Sequence, residues 1–270
     1  MGGVQPAGPP FRWDLVPPDQ LGSLLAGQTP PDLWFAEELV VAAGKVTARS
    51  GGGDLYFSGH SADSVFDLLG GAFAGTDHAR RLHRLAFSPR WEDARGVLEA
   101  AGITPCTLAR SHRIVAFVDL ISPGGTFEDL YRTLRTWVAD AGEPWPVIRR
   151  KLRFVGLTGQ VAAWRSQQTA GWAAELPPSA VITVSIGEGL SDYLGTAQTK
   201  LTRSSGPAQW SADEAAGQGH DDRTRAAVAE AVALVALGQS RPARSLLART
   251  MAAEPAYAES WLRTLVRQLN

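Results

Sequence analysis

The sequence holds one cysteine, Cys106, in 270 residues. A single thiol excludes an intrachain disulfide framework and any metal cluster built on several cysteines; its ordinary use is as a small buried apolar group. Charge of one sign is also missing, since 26 Lys and Arg stand against 27 Asp and Glu for a formal net charge of −1. With the signs interspersed, no field gathers nucleic acid or anionic lipid, and neither is expected as a partner. Long apolar runs are absent: no stretch approaches the roughly 20 residues that cross a bilayer. The opening MGGVQPAGPPFRWDLVPP has no basic start followed by an apolar run. The expectation is an unexported, cytoplasmic protein that does not span a membrane.

What is present suffices for a core. Hydrophobic residues make up 44% of the chain, enough for one large α/β domain with an appendage. Nine tryptophans read first as core and interface packing. Residues 1–18, rich in Gly and Pro, read as a loose arm. DLWFAEELVVAAG (Asp32 to Gly44) has helical spacing and a glycine stop; GKVTARSGGGDLYFSG then reads as two short β-like runs about a glycine turn. Helix-like and strand-like segments alternate from there. SADSVFDLLGGAF is followed by a strand about Leu85–Phe87, the helix WEDARGVLEAAGI and a strand from Ile114 to Val118. A helix Thr126–Ala141, a strand in KLRFVGLTG, a helix Gln160–Leu176 and a strand in AVITVSIG complete the series. This alternation predicts an α/β fold, a parallel sheet with helices on both faces.

That α/β unit is expected over residues 1–202, with a polar, small-residue linker at 203–222 and a helical hairpin at 223–270 broken at Gly238 and Pro255. ALGQ, ARSLLART and EPAYAESW together resemble a single tetratricopeptide-type unit. One such unit cannot bury its apolar face alone, so it is expected to cover the α/β unit, a second copy in a homodimer, or another protein.

The stretch IVAFVDLISPGGTFEDLYRTL (Ile114 to Leu134) reads as strand, small-residue loop and helix. A loop of this kind holds a phosphate: its N–H groups and the helix N-terminus face the anion, glycines allow close approach and hydroxyls add donors. Ser122, Gly124, Gly125 and Thr126 have those properties. The stretch resembles the signature of the phosphoribosyltransferase family, an apolar strand, two acids and a GGT-type loop before a helix. The resemblance implies that Asp119, the second acid, holds ribose hydroxyls and that Ser122, Gly124, Gly125 and Thr126 hold the 5-phosphate. Two positions depart from it: Val118 stands for the first acid, and Pro123, which has no N–H, for a loop hydroxyl. Upstream, DLYFSGHSADSVFDLL has strand, turn and helix order, and the same resemblance makes Gly59, His60 and Ser61 the diphosphate turn, with a histidine where an Arg or Lys is usual.

The resemblance implies binding of phosphoribosyl pyrophosphate, or of another phosphorylated sugar or nucleotide, with Mg²⁺ accompanying the diphosphate and no metal held by the protein itself. Glu188, with Asp192, is a candidate to orient or deprotonate an acceptor. A second class is a phosphoribosyl sensor without turnover, or a partner-binding protein. A third is a serine hydrolase, since GHSAD (Gly59 to Asp63) has the order of a nucleophile elbow with Ser61 as nucleophile; Asp63 stands where a glycine is wanted, and His112 and His220 are the downstream histidines. His78 and His83 are five apart, which does not align them on one helical face for a metal. Arg149, Arg150 and Lys151 are weaker anion candidates.

Overall fold

The structure is a computed structural model that describes residues 25, 27–85, 87, 93–121, 125–161, 171–198 and 222–270. Five short runs rich in β-branched, aromatic and leucine residues form strands: β1 Asp54–Ser58, β2 Leu82–Leu85, β3 Val115–Leu120, β4 Leu152–Thr158 and β5 Val181–Ser185. They join in one sheet, in the order β2-β1-β3-β4-β5, and every pair is parallel. Parallel neighbours need crossover connections, and helices supply them. α1 Ala36–Arg49 precedes β1, α2 Asp63–Ala72 lies between β1 and β2, α3 Ala94–Ala100 and α4 Pro105–Arg110 between β2 and β3, α5 Gly125–Asp140 and α6 Trp145–Ile148 between β3 and β4, and α7 Glu188–Asp192 follows β5. Three more, α8 Asp222–Gln239, α9 Arg241–Ala252 and α10 Ser260–Leu269, close the chain. The protein is therefore an α/β protein with helices on both faces of a parallel sheet.

Strand alternation divides the core. Along β3, Ala116 and Val118 join one apolar cluster with Leu39, Val65, Leu69 and Leu265, whereas Val115 and Phe117 join another with Phe127, Leu134 and Phe154. The first face carries α1, α2 and the C-terminal helices; the second carries α3, α4, α5 and α6. Aromatic rings dominate the second: Phe154 meets Phe117, Phe127 and Trp172 at centroid distances of 5.5, 5.5 and 5.0 Å. Burying one such ring contributes about 2–3 kcal/mol.

Several boundaries differ from the sequence expectations, and glycine explains two of them. Gly44 does not end α1, and Gly238 lies inside α8. Both are points where helices touch. A Cβ on Gly44 would stand 2.9 Å from Thr250 Cβ on α9, and one on Gly238 only 2.1 Å from the Leu68 carbonyl oxygen on α2. Gly71 of α2 makes the reciprocal contact, 2.0 Å from Val235 O on α8. Lys45–Arg49, expected as a β-like run, continues α1. Val46, Thr47 and Ala48 are buried there, and Thr47 Oγ1 donates to Ala43 O at 2.9 Å, so tertiary burial overrides β-propensity.

β2 ends at Leu85 instead of spanning Leu85–Phe87, because its pairing with β1 runs from Leu55–Leu82 to Ser58–Leu85. Within the expected helix Gln160–Leu176, Trp172–Glu175 is a 3-10 turn; 162–170 lie outside the described residues. Cys106 is half-buried on α4. No helix among the described residues is long and apolar enough to cross a membrane.

Candidate functional site

The chain leaves β1 toward α2 on the first face and leaves β3 toward α5 on the second. Adjacent strands whose exits part in this way leave a crevice beyond their carboxyl ends, the usual ligand position of a doubly wound sheet. The two segments singled out in the sequence, Gly59–Ser61 and the loop before Thr126, follow these two strands.

On the β1 side, Ser58 is fully buried and its Oγ has no hydrogen-bond partner among the described residues. Gly59 turns the chain with φ of +66°, a conformation glycine adopts without strain, and its N–H donates to Leu85 O at 3.1 Å. His60 Nδ1 lies 3.1 Å from Asp63 Oδ2, and the His60 carbonyl accepts from Gln198 Nε2 at 3.2 Å. Ser61 is half-buried just before α2.

On the β3 side, Val118 has no exposed surface and pairs with Phe57 and Val155 in the first-face core. A carboxylate there would be buried among apolar groups at high cost. The acid missing from the sequence pattern is thus a position the fold gives to its core. Asp119 points to the other face, is 7% exposed, and its Oδ1 accepts from the Leu120 N–H at 2.8 Å. Ile121 leans over β4, where a Cβ on Gly156 would stand 1.7 Å from its Cδ1; Gly156 therefore fixes how the loop departs.

Ser122, Pro123 and Gly124 lie outside the described residues. Gly125 and Thr126 open α5, Gly125 exposed and Thr126 half-buried. Outside its own helix backbone and chain neighbours, a Cβ on Gly125 would meet only Asp129 Oδ2, 4.0 Å away, among the described residues, so an anion at this helix start shares the space with a carboxylate.

Sequence reading missed three residues at this edge. Thr158, 1% exposed at the end of β4, accepts from Gln160 N–H through Oγ1 at 3.0 Å. By alternation Ser58, Asp119 and Thr158 share one face at the ends of three adjacent strands. The signal was available: each apolar run, YFS, FVD and GLT, turns polar at its last residue. Arg84 on β2 is the other omission; its Nη2 lies 3.6 Å from Asp63 Oδ1, and no local pattern announces it.

Other candidates stand apart. Glu188 is exposed at the start of α7, and β4 separates β5 from β3, so it lies roughly 10 Å to the side of Asp119 at ordinary strand spacing. Asp192 ends α7, and Trp34, 62% exposed, rests near Gly189. His112 precedes β3 at its amino end, about 20 Å along the strands from the Ser61 edge. His220 lies outside the described residues. Arg149 donates to Glu175 O and Lys151 to Leu108 O and Ala109 O, all near the amino ends. No group of three or more His, Cys, Asp or Glu side chains among the described residues is arranged to hold a metal ion.

No family model, no curated protein and no solved structure matches the chain. The functional reading therefore rests on the residues at the carboxyl edge.

Proposed function

We propose that this protein binds a ribose 5-phosphate group, as phosphoribosyl pyrophosphate or another phosphorylated sugar or nucleotide, in the crevice between the carboxyl ends of β1 and β3. The observation that carries this reading is the strand order, which reverses between those two strands and makes neighbours of two segments far apart in sequence. Gly125, Thr126 and the N–H groups opening α5 receive the 5-phosphate together with Ser122 and Gly124. Asp119, the acid at the end of β3, orients the ribose hydroxyls. Gly59, His60 and Ser61 receive the diphosphate.

A transfer reaction on this site passes through an oxocarbenium-like state at the anomeric carbon, which the buried Asp119 carboxylate stabilises. Mg²⁺ keeps several waters and prefers phosphate oxygens, so it arrives on the diphosphate of the substrate. Glu188 is too far to the side to touch the anomeric carbon and acts only on a long acceptor. The same pocket without an acceptor is a phosphoribosyl sensor, which the single acid favours.

Calorimetric titration with ribose 5-phosphate and with phosphoribosyl pyrophosphate, with and without Mg²⁺, tests the reading. Binding of both ligands is the expected result. Absence of binding by either removes the phosphoribosyl assignment. Turnover with a panel of nucleobase and amine acceptors then separates transferase from sensor.

A further inference from the structure

A single exposed apolar side chain needs no explanation; Trp34 differs in where it stands. Of the tryptophans among the described residues it alone is exposed, at 62%. It precedes α1 and rests against α7, where a Cβ on Gly189 would stand 3.2 Å from Trp34 Cη2. Because α7 follows β5, this places the indole at the carboxyl ends of the strands. We infer that Trp34 is a stacking surface for a planar nitrogen heterocycle, the nucleobase-like end of a ligand whose phosphate end binds at α5. The inference rests on the phosphoribosyl reading for the sugar phosphate, and the stacking is tested separately.

The ring is held in place before any ligand arrives. Phe35 and Tyr193 stack on each other with centroids 3.8 Å apart, and Trp34 meets both nearly at right angles, at 5.5 and 6.5 Å. Tyr193 Oη in turn lies 3.3 Å from Ser64 Oγ on α2, the helix that follows the Gly59–Ser61 turn. Side-chain contacts thus run from Trp34 to the border of the crevice. A fixed aromatic surface stacks a base at little entropy cost.

Charge decides which end of the ligand faces it. Asp32 and Glu37 flank Trp34 in sequence, Glu188 precedes Gly189, and all three are exposed. Neither residues 32–44 nor residues 185–198 include a Lys or Arg. A phosphate is repelled there, whereas a neutral ring with N–H donors meets carboxylate acceptors. Span agrees with this orientation. β4 separates β5 from β3, a lateral distance of roughly 10 Å, and a nucleotide carries its base and its phosphate on opposite ends of the ribose.

The test is calorimetric titration of the full chain with ribose 5-phosphate, adenosine and adenosine 5′-monophosphate, on wild type, Trp34→Phe and Trp34→Ala, with tryptophan emission recorded alongside. Wild type should bind the monophosphate about tenfold or more tighter than ribose 5-phosphate, the gain of one stacked base. Trp34→Ala should lose that gain and hold ribose 5-phosphate within about twofold of wild type. Trp34→Phe should keep most of the gain but lose the quenching of emission that adenosine causes in wild type. Should Trp34→Ala lower the melting temperature, Trp34→Leu keeps an apolar contact with Phe35 and Tyr193 without an aromatic face and gives the same reading. Equal monophosphate affinity in wild type and the folded variant overturns the stacking surface, as does a wild type that binds neither adenosine nor its monophosphate. Trp34-dependent adenosine binding without ribose 5-phosphate binding upholds the stacking surface and overturns the phosphoribosyl reading alone.

Discussion

The two edges of the sheet use their polar groups in opposite ways. At the amino edge, basic side chains end on main-chain carbonyls or a nearby acid: Arg81 donates to Gly52 O, Lys151 to Leu108 O and Ala109 O, and Arg113 stands 3.6 Å from Asp54. Backbone there is pressed together; the position of a Cβ on Gly53 lies 2.0 Å from Ile114 O, and Trp261 of α10 covers Gly52. At the carboxyl edge the buried polar residues are Ser58, Asp63, Asp119 and Thr158, with His60 and Arg84 bordering solvent. The amino edge spends its charges on holding the fold. The carboxyl edge gathers polar groups at the strand ends, where we propose that the ligand binds.

Four experiments act on this contrast. Gly53→Ala should be the most disruptive, costing about 3 kcal/mol or more of unfolding free energy, because the added carbon meets backbone rather than a side chain that can turn away. Chemical denaturation measures the loss, and ligand affinity of the fraction that stays folded should match wild type. Gly125→Asp, at the opposite edge, should do the reverse: ribose 5-phosphate affinity falls about a hundredfold, near 2.7 kcal/mol, with the melting temperature nearly unchanged. A large melting shift for Gly125→Asp would show that the carboxyl edge is as structural as the amino edge.

His78 offers a pH test of the amino side. Its ring lies between Phe73 and Trp261, with centroids 5.9 and 6.0 Å away, and neither ring nitrogen has a hydrogen-bond partner among the described residues. Burial, with Arg81 nearby, pushes its pKa down to about 4, against a smaller opposing effect of Asp77. An unfolded histidine titrates near 6.5, so below that pH the unfolded chain takes up the proton first. The neutral ring's contribution is therefore complete above about pH 6.5 and lost as pH falls toward 4, a change of about 1–2 kcal/mol after allowing for its partial exposure. Denaturation curves at pH 7 and 5 should differ less for His78→Gln than for wild type. An equal difference in both would remove His78 from the account.

Asp119→Asn should change affinity least, keeping ribose 5-phosphate binding within about threefold, while turnover with phosphoribosyl pyrophosphate and an acceptor drops. Unchanged turnover would take Asp119 out of the chemistry.

The strands, their parallel arrangement and the two exits at the crevice were legible because short apolar runs alternate with helical ones. Polar residues at the ends of YFS, FVD and GLT carried a further signal. Other features depend on residues distant in sequence. Gly44 and Gly238 have the local look of helix ends, and only the approach of α9 and α2 makes them crossing points. Val46 and Thr47 prefer strand in isolation and are helical because α1 buries them. Arg84 reaches Asp63 through the β1–β2 register, which no spacing within the turn encodes.

The central claim is that the carboxyl edge between β1 and β3 holds a sugar phosphate. Backbone amide NMR shifts recorded while ribose 5-phosphate is added test it most directly. The account predicts the largest changes from Asp119 through Thr126, with Gly52, Gly53 and Lys151 unmoved. Changes centred on the amino edge, or none at saturating ligand, would contradict it.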